Sequence, residues 1–404
     1  MLRSVELFSG AGGLALGCSL AGFTPGAVIE WDKWACDTIR ENQRRENPLV
    51  SDWPLYEQDV RLFDFSGFSG EIDLVAGGPP CQPFSLGGKH KASSDKRDML
   101  PTTIDVVRQV RPKAFLIENV KGLTRATFAN YLQYTLLQLS YPNLTKGAKE
   151  SWLDHLARLE KERTSGRMRG LAYDVVCRVL NAADYGIPQR RERVFIIGFR
   201  HDLGVRWSFP DSTHSLDSLL HSQWITGEYW DAHKVGKKNR PEPDLKIKTK
   251  VERLRACYQA GNSELPWRTV RDALQGLPDP SKAKAAAQHN NHIYQPGARI
   301  YPGHTGSPLD FPAKTLKAGD HGVPGGENML VTPNGQVRYF TVRESARLQT
   351  FPDTYVFHGA WTETMRQLGN AVPMVLARIM AASIAEKLVE AETNRLIAKC
   401  KRAA

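Results

Sequence analysis

The alternation of short apolar runs with helical segments in the first half of the chain constrains the fold most strongly. Apolar runs lie at 4–8 (SVELF), 26–30 (GAVIE), 72–78 (IDLVAGG), 113–119 (KAFLIEN) and 191–199 (RERVFIIGF). Segments with helical character, such as 14–23 and 32–43, lie between the first runs. This alternation predicts an α/β fold built on a parallel, doubly wound sheet.

The residues that follow the predicted strands are polar or small. In a doubly wound sheet, ligands bind beyond the carboxyl ends of the strands, so these residues are candidates for a binding site. In chain order they are Gly10, Gly12 and Gly13, then Glu30 and Trp31, Asp59, Pro80 and Cys81, and Glu118 and Asn119. We therefore expect one edge of the sheet to carry glycines, three carboxylates and a thiol.

The first strand runs into a glycine-rich turn. Gly10, Gly12 and Ala15 match the pattern G-x-G-x-x-A, and Glu30 follows at the distance expected for a residue that binds ribose hydroxyls. The two neighbouring glycines, Gly12 and Gly13, let a ligand approach the backbone closely. A dinucleotide, S-adenosylmethionine or a plain tight turn all fit this pattern.

The stretch GGPPCQPFS, residues 77–85, places a cysteine directly after two prolines. Pro79 and Pro80 fix the backbone, so Cys81 projects from a rigid base. A thiolate is a good nucleophile, and Glu118 at the same sheet edge can hold a proton if its pocket is dry. A nucleophile, an acid and a nucleoside cofactor together suit attack on an electron-poor ring.

Composition narrows the partners and the compartment. The 404 residues carry a net charge of +11, which suggests a polyanionic partner, above all nucleic acid. None of the six cysteines forms a C-x-x-C pair, so we expect no metal and a reducing, cytoplasmic environment. No apolar run predicts a signal peptide or a membrane span.

Six motifs occur in an order that is specific to one family. They are ELFSGAGGLALG, GGPPCQPFS, IENVKGL, QRRERVFIIGF, RESARLQTFPDTY and QLGNAVP. The chain resembles the DNA (cytosine-5) methyltransferases from about residue 4 to residue 390. Because it is compact, it is most similar to the bacterial and phage members of restriction-modification systems. The resemblance implies a Rossmann-like S-adenosylmethionine-dependent domain and a second, smaller target-recognition domain.

The resemblance also implies catalytic roles. Cys81 would add to C6 of the target cytosine, which would then be methylated at C5. Glu118 would hydrogen-bond N3 and the exocyclic amine, and Arg191 and Arg193 would hold O2 and favour the thiolate.

The implied cofactor is S-adenosyl-L-methionine, and its pocket is implied in the same way. The first turn would contribute Phe8, Gly10, Ala11, Gly12, Gly13 and Leu14. Glu30 and Trp31 would take the ribose and methionine side, and Asp59 and Val60 would flank the adenine. Asn370, Ala371 and Val372 would return from the far end of the chain to close the pocket.

We expect the catalytic and cofactor-binding domain to comprise 1–200 plus 338–404, with 201–337 as the target-recognition domain. The basic span 234–255 is a candidate for phosphate contacts or a solvated linker, and loop 85–99 is expected to close over DNA. The segment 143–170 is interpreted as an inserted helix whose stripe of Trp152, Leu153, Leu156 and Leu159 packs on the catalytic domain.

The expected partners are duplex DNA and, functionally, a companion restriction endonuclease, with the chain itself a monomer. Methylation of tRNA cytosine is one alternative, and a catalytically silent DNA-binding regulator is another. A nicotinamide dehydrogenase would explain the glycine turn, but it would leave Cys81, Glu118 and QRRER without a role.

Overall fold

The computed structural model describes residues 1–80, 98–166, 170–257, 264–302, 305–319, 328–332 and 334–403. Cys81 and most of loop 85–99 lie outside these residues. The chain forms two compact units. The first unit comprises Met1–Leu180, Glu192–Pro210 and Ala377–Ala404, and the second comprises Asn181–Arg191 and Asp211–Leu376.

A central sheet organises the first unit. Its strands are β1 (Leu2–Leu7), β2 (Phe23–Glu30), β3 (Leu55–Glu57), β4 (Leu74–Gly77), β5 (Ala114–Val120), β6 (Tyr173–Asn181) and β7 (Glu192–Arg200), in the order β3-β2-β1-β4-β5-β7-β6. The pairs β1–β2, β1–β4, β2–β3 and β4–β5 are parallel. The α/β class and the five predicted strands are confirmed. The sheet is mostly parallel, as predicted, and departs from this direction at β7, which runs antiparallel to β5.

Within the described residues, five α-helices of the first unit precede β6. They are α1 (Gly13–Leu20), α2 (Lys33–Arg44), α3 (Leu100–Val110), α4 (Ala129–Ser140) and α5 (Trp152–Ser165). Asp32 caps the N-terminus of the amphipathic α2. Its side chain accepts a hydrogen bond from the Ala35 amide, one of the first-turn N–H groups that have no partner within the helix. Side chains of β1, β4, β5 and β7 pack with those of α3 into one continuous apolar core.

Helix α5 is the helix predicted in the segment 143–170. Leu159 and His155 are fully buried, and Leu156 packs in the same cluster. Leu153, however, is 58% exposed, so the prediction that it belongs to the packed stripe was wrong. The buried face instead includes His155, whose ring nitrogens pair with the Tyr134 hydroxyl and the Leu144 carbonyl.

The second unit is built of short elements. Its helices are α6 (Leu216–His221), α7 (Glu228–Ala232), α8 (Leu245–Cys257), α9 (Val270–Leu274), α10 (Ala283–Ala286), α11 (Val342–Leu348) and α12 (Trp361–Asn370). Its strands are β8 (His214–Ser215), β9 (Leu265–Pro266), β10 (Ser307–Pro308), β11 (Met329–Val331) and β12 (Val337–Tyr339).

In the last helix, α13 (Met374–Ala403), apolar residues recur every four positions in the sequence, a pattern that predicts a helix face packed on the first domain. Leu376, Met380, Ile384 and Leu388 are all buried, as expected. A Cβ placed on Gly17 of α1 would lie 2.3 Å from the Ala377 Cβ, so the two helices approach too closely for a side chain there. The segment 361–401 contains one window apolar enough to cross a membrane, but 61% of that window is buried in the protein, as in a core helix.

The compact units and the predicted domains divide the chain differently. Residues 181–191 and 338–376, which we expected in the catalytic domain, group with the second unit. Each unit is a set of residues that contact one another, whereas each predicted domain is a set of residues that share a function. The assignment of catalysis to 1–200 plus 338–404 and of target recognition to 201–337 therefore stays a prediction.

Candidate active site

Strands β5 and β7 bring Glu118 and Arg193 together. In their antiparallel register Val120 lies opposite Arg193, and Glu118 lies opposite Phe195. The Arg193 Nε lies 3.0 Å from Glu118 Oε1, and both side chains are largely buried. Burial lowers the pKa of Arg193, while the Glu118 carboxylate raises it. An arginine remains charged in such a site, so it is a fixed cation beside the acid.

The turn that leads to Cys81 lies against the same carboxylate. A Cβ on Gly78 would be only 3.3 Å from Glu118 Oε2, so the backbone passes close to the acid. The buried Asn119 donates from Nδ2 to the Pro79 carbonyl at 3.2 Å, and the Met99 amide donates to the Pro80 carbonyl at 3.1 Å. These bonds fix the backbone up to the residue before Cys81. Asn119 lies in the motif IENVKGL, but the sequence did not indicate that its side chain would hold the turn through Pro79.

Arg191 has a different environment from Arg193. It belongs to the second unit and is fully buried. Its Nη1 donates to the Leu316 carbonyl at 3.1 Å and its Nη2 to the Gly369 carbonyl at 2.8 Å. The structure thus pairs Arg193 with Glu118, and it shows Arg191 bonded to two backbone carbonyls of the second unit. Contact of either arginine with a base stays a prediction.

The glycine turn and Glu30 lie together, as the sequence predicted. Glu30 Oε2 accepts from the Gly10 amide at 2.7 Å, while Oε1 accepts from the amides of Trp31 and Asp32 at 2.9 and 2.8 Å. Burial raises the pKa of Glu30, and these amide donors oppose that shift. The carboxylate therefore links the ends of β1 and β2.

The backbone of the turn and the start of α1 suit an anionic ligand. Phe8, Gly10 and Gly12 have positive φ angles of 53°, 53° and 91°. Helix α1 begins after Gly12 without a capping side chain and without an acidic residue in its first turn. Its first amide groups and the positive end of its dipole are therefore suited to a carboxylate or phosphate. Ala11, Gly13 and Leu14 are buried beneath the turn, whereas Trp31 is exposed.

Asp59 and Val60 follow β3, as predicted. Val60 is buried in the core of the first unit. Asp59 accepts from the Arg61 amide at 2.9 Å and forms an ion pair with the Arg61 side chain. Arg61 lowers the pKa of Asp59. The sequence did not predict this partner.

The three remaining predicted residues, Asn370, Ala371 and Val372, form the end of α12 and the turn after it. Gln349 holds this turn, because its Nε2 donates to the carbonyls of Leu368 and Ala371. Its Oε1 accepts from Gln189 Nε2 at 3.0 Å, and both glutamines are fully buried. Gln189 lies in the motif QRRERVFIIGF and Gln349 in RESARLQTFPDTY. These motifs were the only sequence signal that could have identified the two residues.

The comparisons with known proteins agree with one another. A family model described as C-5 cytosine-specific DNA methylase matches residues 2–141 and 153–386. The Type II methyltransferase M.PspPI of Psychrobacter sp. (strain TA137) is 31% identical over 387 residues, which cover 95% of this chain and 79% of that protein. M.NgoMIV of Neisseria gonorrhoeae, also a Type II methyltransferase, is 29% identical over 390 residues, which cover 95% and 97% of the two chains.

Similarity of fold extends to a solved structure. The Dnmt2 methyltransferase of S. pombe has a TM-score of 0.54 at 18% identity, with 96% of this chain and 99% of that chain covered. The mostly parallel sheet accordingly has the Rossmann-like arrangement of S-adenosylmethionine-dependent methyltransferases. Since the family model covers most of the sequence, the chain belongs to the C-5 cytosine-specific DNA methylases, enzymes that use S-adenosyl-L-methionine as methyl donor.

Proposed function

We propose that this enzyme methylates C5 of a cytosine flipped out of duplex DNA, through a covalent bond between Cys81 and C6. The observation that carries the proposal is the Glu118–Arg193 ion pair beside the turn 77–80. The ion pair combines a hydrogen-bonding carboxyl and a fixed cation beside the turn that precedes Cys81 in the sequence. Glu118 and Arg193 would polarise N3 and O2 of a cytosine that lay against both side chains.

The reaction balances as an addition followed by an elimination. The Cys81 thiolate forms the S–C6 bond, and the C5–C6 electron pair becomes the nucleophile at C5. Glu118 and Arg193 stabilise the charge that develops at N3 and O2 during this attack. S-adenosyl-L-methionine, when bound, would supply the methyl group that C5 takes up, and its S–CH3 bond would break to leave S-adenosyl-L-homocysteine. A base then removes the C5 proton, the C5–C6 double bond forms again, and the S–C6 bond breaks.

The residues of the first turn fit this cofactor. The uncapped start of α1 suits the methionine carboxylate, and Glu30 retains acceptor capacity for ribose hydroxyls beside its three amide donors. We propose cofactor contacts for the full set predicted from the sequence: Phe8, Gly10, Ala11, Gly12, Gly13, Leu14, Glu30, Trp31, Asp59, Val60, Asn370, Ala371 and Val372. The ion pair with Arg61 would keep Asp59 ionised and in place.

The names of the relatives support a biological setting for this enzyme. M.PspPI and M.NgoMIV are Type II methyltransferases, and we propose that this chain likewise protects DNA from a companion restriction endonuclease. We further propose that it acts in the cytoplasm as a monomer, with 201–337 as its target-recognition domain. Alternatives are tRNA methylation, which the DNA-specific family model disfavours, and a silent regulator, which would not need the buried Glu118–Arg193 pair.

The mechanism can be tested with duplex DNA in which 5-fluorocytosine replaces cytosine. Fluorine at C5 cannot leave as a proton, so the elimination stalls and the enzyme remains bound to DNA. We expect a denaturant-stable protein–DNA adduct that requires S-adenosyl-L-methionine and disappears in Cys81→Ala. The matched control is Cys400→Ala, because Cys400 is an exposed thiol on α13.

An adduct that persists in Cys81→Ala would refute the assignment of the nucleophile. A parallel assay with radiolabelled cofactor on unmodified duplex DNA and on tRNA distinguishes the alternatives. Methyl transfer to tRNA alone would favour the RNA substrate, and transfer to neither would favour the silent regulator.

A further inference from the structure

The two residues before Cys81 can be held by hydrogen bonds only through their carbonyl groups. Pro79 and Pro80 have no N–H group, so any donor that fixes their backbone must reach a carbonyl oxygen. Asn119 donates to the Pro79 carbonyl from β5, and the Met99 amide donates to the Pro80 carbonyl at 3.1 Å. The position of the Pro80 carbonyl therefore depends on what fixes Met99.

Met99 is fixed from the first turn of α3. It is the residue directly before this helix, and its carbonyl accepts from the Thr103 amide at 3.0 Å and from the Thr103 hydroxyl at 2.9 Å. Thr103 is buried. The side chain of Met99 does not cap the helix, but Asp98 does part of this work, because its Oδ1 accepts from the Leu100 amide at 3.1 Å. Asp98 thus stabilises the backbone on both sides of Met99.

The same carboxyl connects the start of α3 to helix α4. Asp98 Oδ2 accepts a hydrogen bond from the Tyr131 hydroxyl. The Tyr131 ring packs against the apolar core of the first unit, so the hydroxyl is presented from a fixed position. Hydrogen bonds to a carboxylate are about twice as strong as those between neutral groups. Asp98 is therefore a junction that α4 holds in place.

A continuous set of hydrogen bonds accordingly runs from α4 to the turn. Tyr131 bonds to Asp98, Asp98 bonds to the first amide of α3, and Met99, which lies between them, bonds to Pro80. Attack by a nucleophile is sensitive to such support, because a misplacement of about 1 Å can lower a rate on the order of a hundredfold.

We propose that Tyr131 and Asp98 are positioning residues for methyl transfer, since their hydrogen bond holds the start of α3 and thereby the turn that leads to Cys81. This inference rests on the proposed function, because it concerns the nucleophile of the same reaction. The role requires no contact of either side chain with the substrate. Both residues lie outside the six motifs of the sequence, so no motif indicated them.

The test measures how fast the covalent adduct forms. The full chain, in excess, is mixed with S-adenosyl-L-methionine and a long amplified duplex in which 5-fluorocytosine replaces cytosine. Tyr131→Phe removes only the hydroxyl and keeps the ring in the core, so we expect the rate of adduct formation to fall about fivefold or more. The final amount of adduct, the KM for unmodified DNA and the affinity for the cofactor should stay unchanged. A partly misfolded variant would instead lower the final amount.

Substitutions of Asp98 test the connection from its other end. Asp98→Asn can still accept from the Leu100 amide and can donate from Nδ2 to the Tyr131 oxygen, so it should react at close to the wild-type rate. Asp98→Ala loses both bonds and should be at least as slow as Tyr131→Phe. Since the two side chains act through one hydrogen bond, the double variant of Tyr131→Phe and Asp98→Ala should be no slower than Asp98→Ala alone.

Tyr134→Phe is the matched control, because it removes a hydroxyl from the same helix. The Tyr134 hydroxyl pairs with His155 Nδ1 at 2.7 Å, on the side of α5, and its loss should leave the rate of adduct formation unchanged. Wild-type rates in both Tyr131→Phe and Asp98→Ala, or an equal fall in Tyr134→Phe, would overturn the inference. A wild-type enzyme that forms no adduct would refute the proposed function and this inference with it, so failure of the inference alone is seen only in the variants.

Discussion

Glu6 is a titratable residue in an unusual position. It lies on β1 two residues before Phe8, and it is almost fully buried. Burial raises the pKa of Glu6 to about 7, although the Ser4 and Cys18 side chains partly oppose the shift. Between pH 4.5 and about 7, the Glu6 carboxyl is therefore mostly neutral in the native protein, whereas it is mostly ionised in the unfolded chain.

This difference predicts how stability depends on pH. Because the folded pKa is the higher one, the native state binds more protons between pH 4.5 and about 7. The contribution of Glu6 to stability is fully present below pH 4.5 and is lost as the pH rises through 7, by roughly 3 kcal/mol in total. Glu6→Gln cannot ionise, so its stability relative to wild type should rise between pH 5 and pH 8, as measured by urea unfolding.

The matched control for this titration is Glu252→Gln, at an exposed position on α8. Its stability relative to wild type should change little with pH. If Glu6→Gln behaves like this control, then the pKa of Glu6 in the native protein is not raised above its value in the unfolded chain.

At the scale of elements, the turn after α12 depends on one glutamine. The Gln349 side chain satisfies two carbonyls of the turn, and its own backbone carbonyl accepts from the Met374 amide at 3.1 Å. The neighbouring Thr350 hydroxyl accepts from the Val375 amide at 2.9 Å. The end of α11 thus holds the end of α12 and the start of α13.

Gln349→Met keeps the volume of the side chain but leaves these carbonyls without their donor. Each unsatisfied buried polar group costs about 1–3 kcal/mol, so we expect a loss of roughly 2–4 kcal/mol in the free energy of unfolding. Gln223→Met is the control, because the buried Gln223 donates one described bond, to the Asp310 carbonyl. Equal losses in both variants, measured by thermal unfolding, would contradict a special role for Gln349.

The hydrophobic pattern of the sequence predicted the strands and the helix face that are buried along most of their length. The five apolar strands and the α13 stripe were predicted, because a residue buried on both sides must be apolar. Strand β6 was not predicted, since only its first residue and Leu180 are buried. The direction of β7 and the bonds of Gln189 and Gln349 could not be predicted, because strand direction and partners distant in sequence leave no local pattern.

At the scale of the whole molecule, the target base must leave the DNA helix. A thiol that follows a rigid turn at a sheet edge cannot reach C6 of a base that is still stacked, so the proposed reaction requires base flipping. Extrusion costs a few kcal/mol, and the cost is lower when the target cytosine is mispaired. We therefore expect tighter binding to a mispaired target than to a paired one.

A fluorescent 2-aminopurine at the target position reports the same event. It should brighten on binding, because it loses its stacking neighbours, and it should brighten in Cys81→Ala as well, since flipping precedes chemistry. A duplex with 2-aminopurine three base pairs away serves as control and should change little. Constant fluorescence together with equal affinity for paired and mispaired targets would refute extrusion.

The hydrogen bond between Pro80 and Met99 has a consequence for how this family can vary. The Met99 amide donates to the Pro80 carbonyl, so residues 80 and 99 are in direct contact. The two ends of the intervening stretch are therefore held at one fixed point, whatever number of residues separates them. The entropy of closing a loop grows only slowly with its length, by about 0.6 kcal/mol per doubling. Insertions and deletions between these two positions should accordingly be tolerated without disturbing Glu118, Asn119 or the strands that carry them.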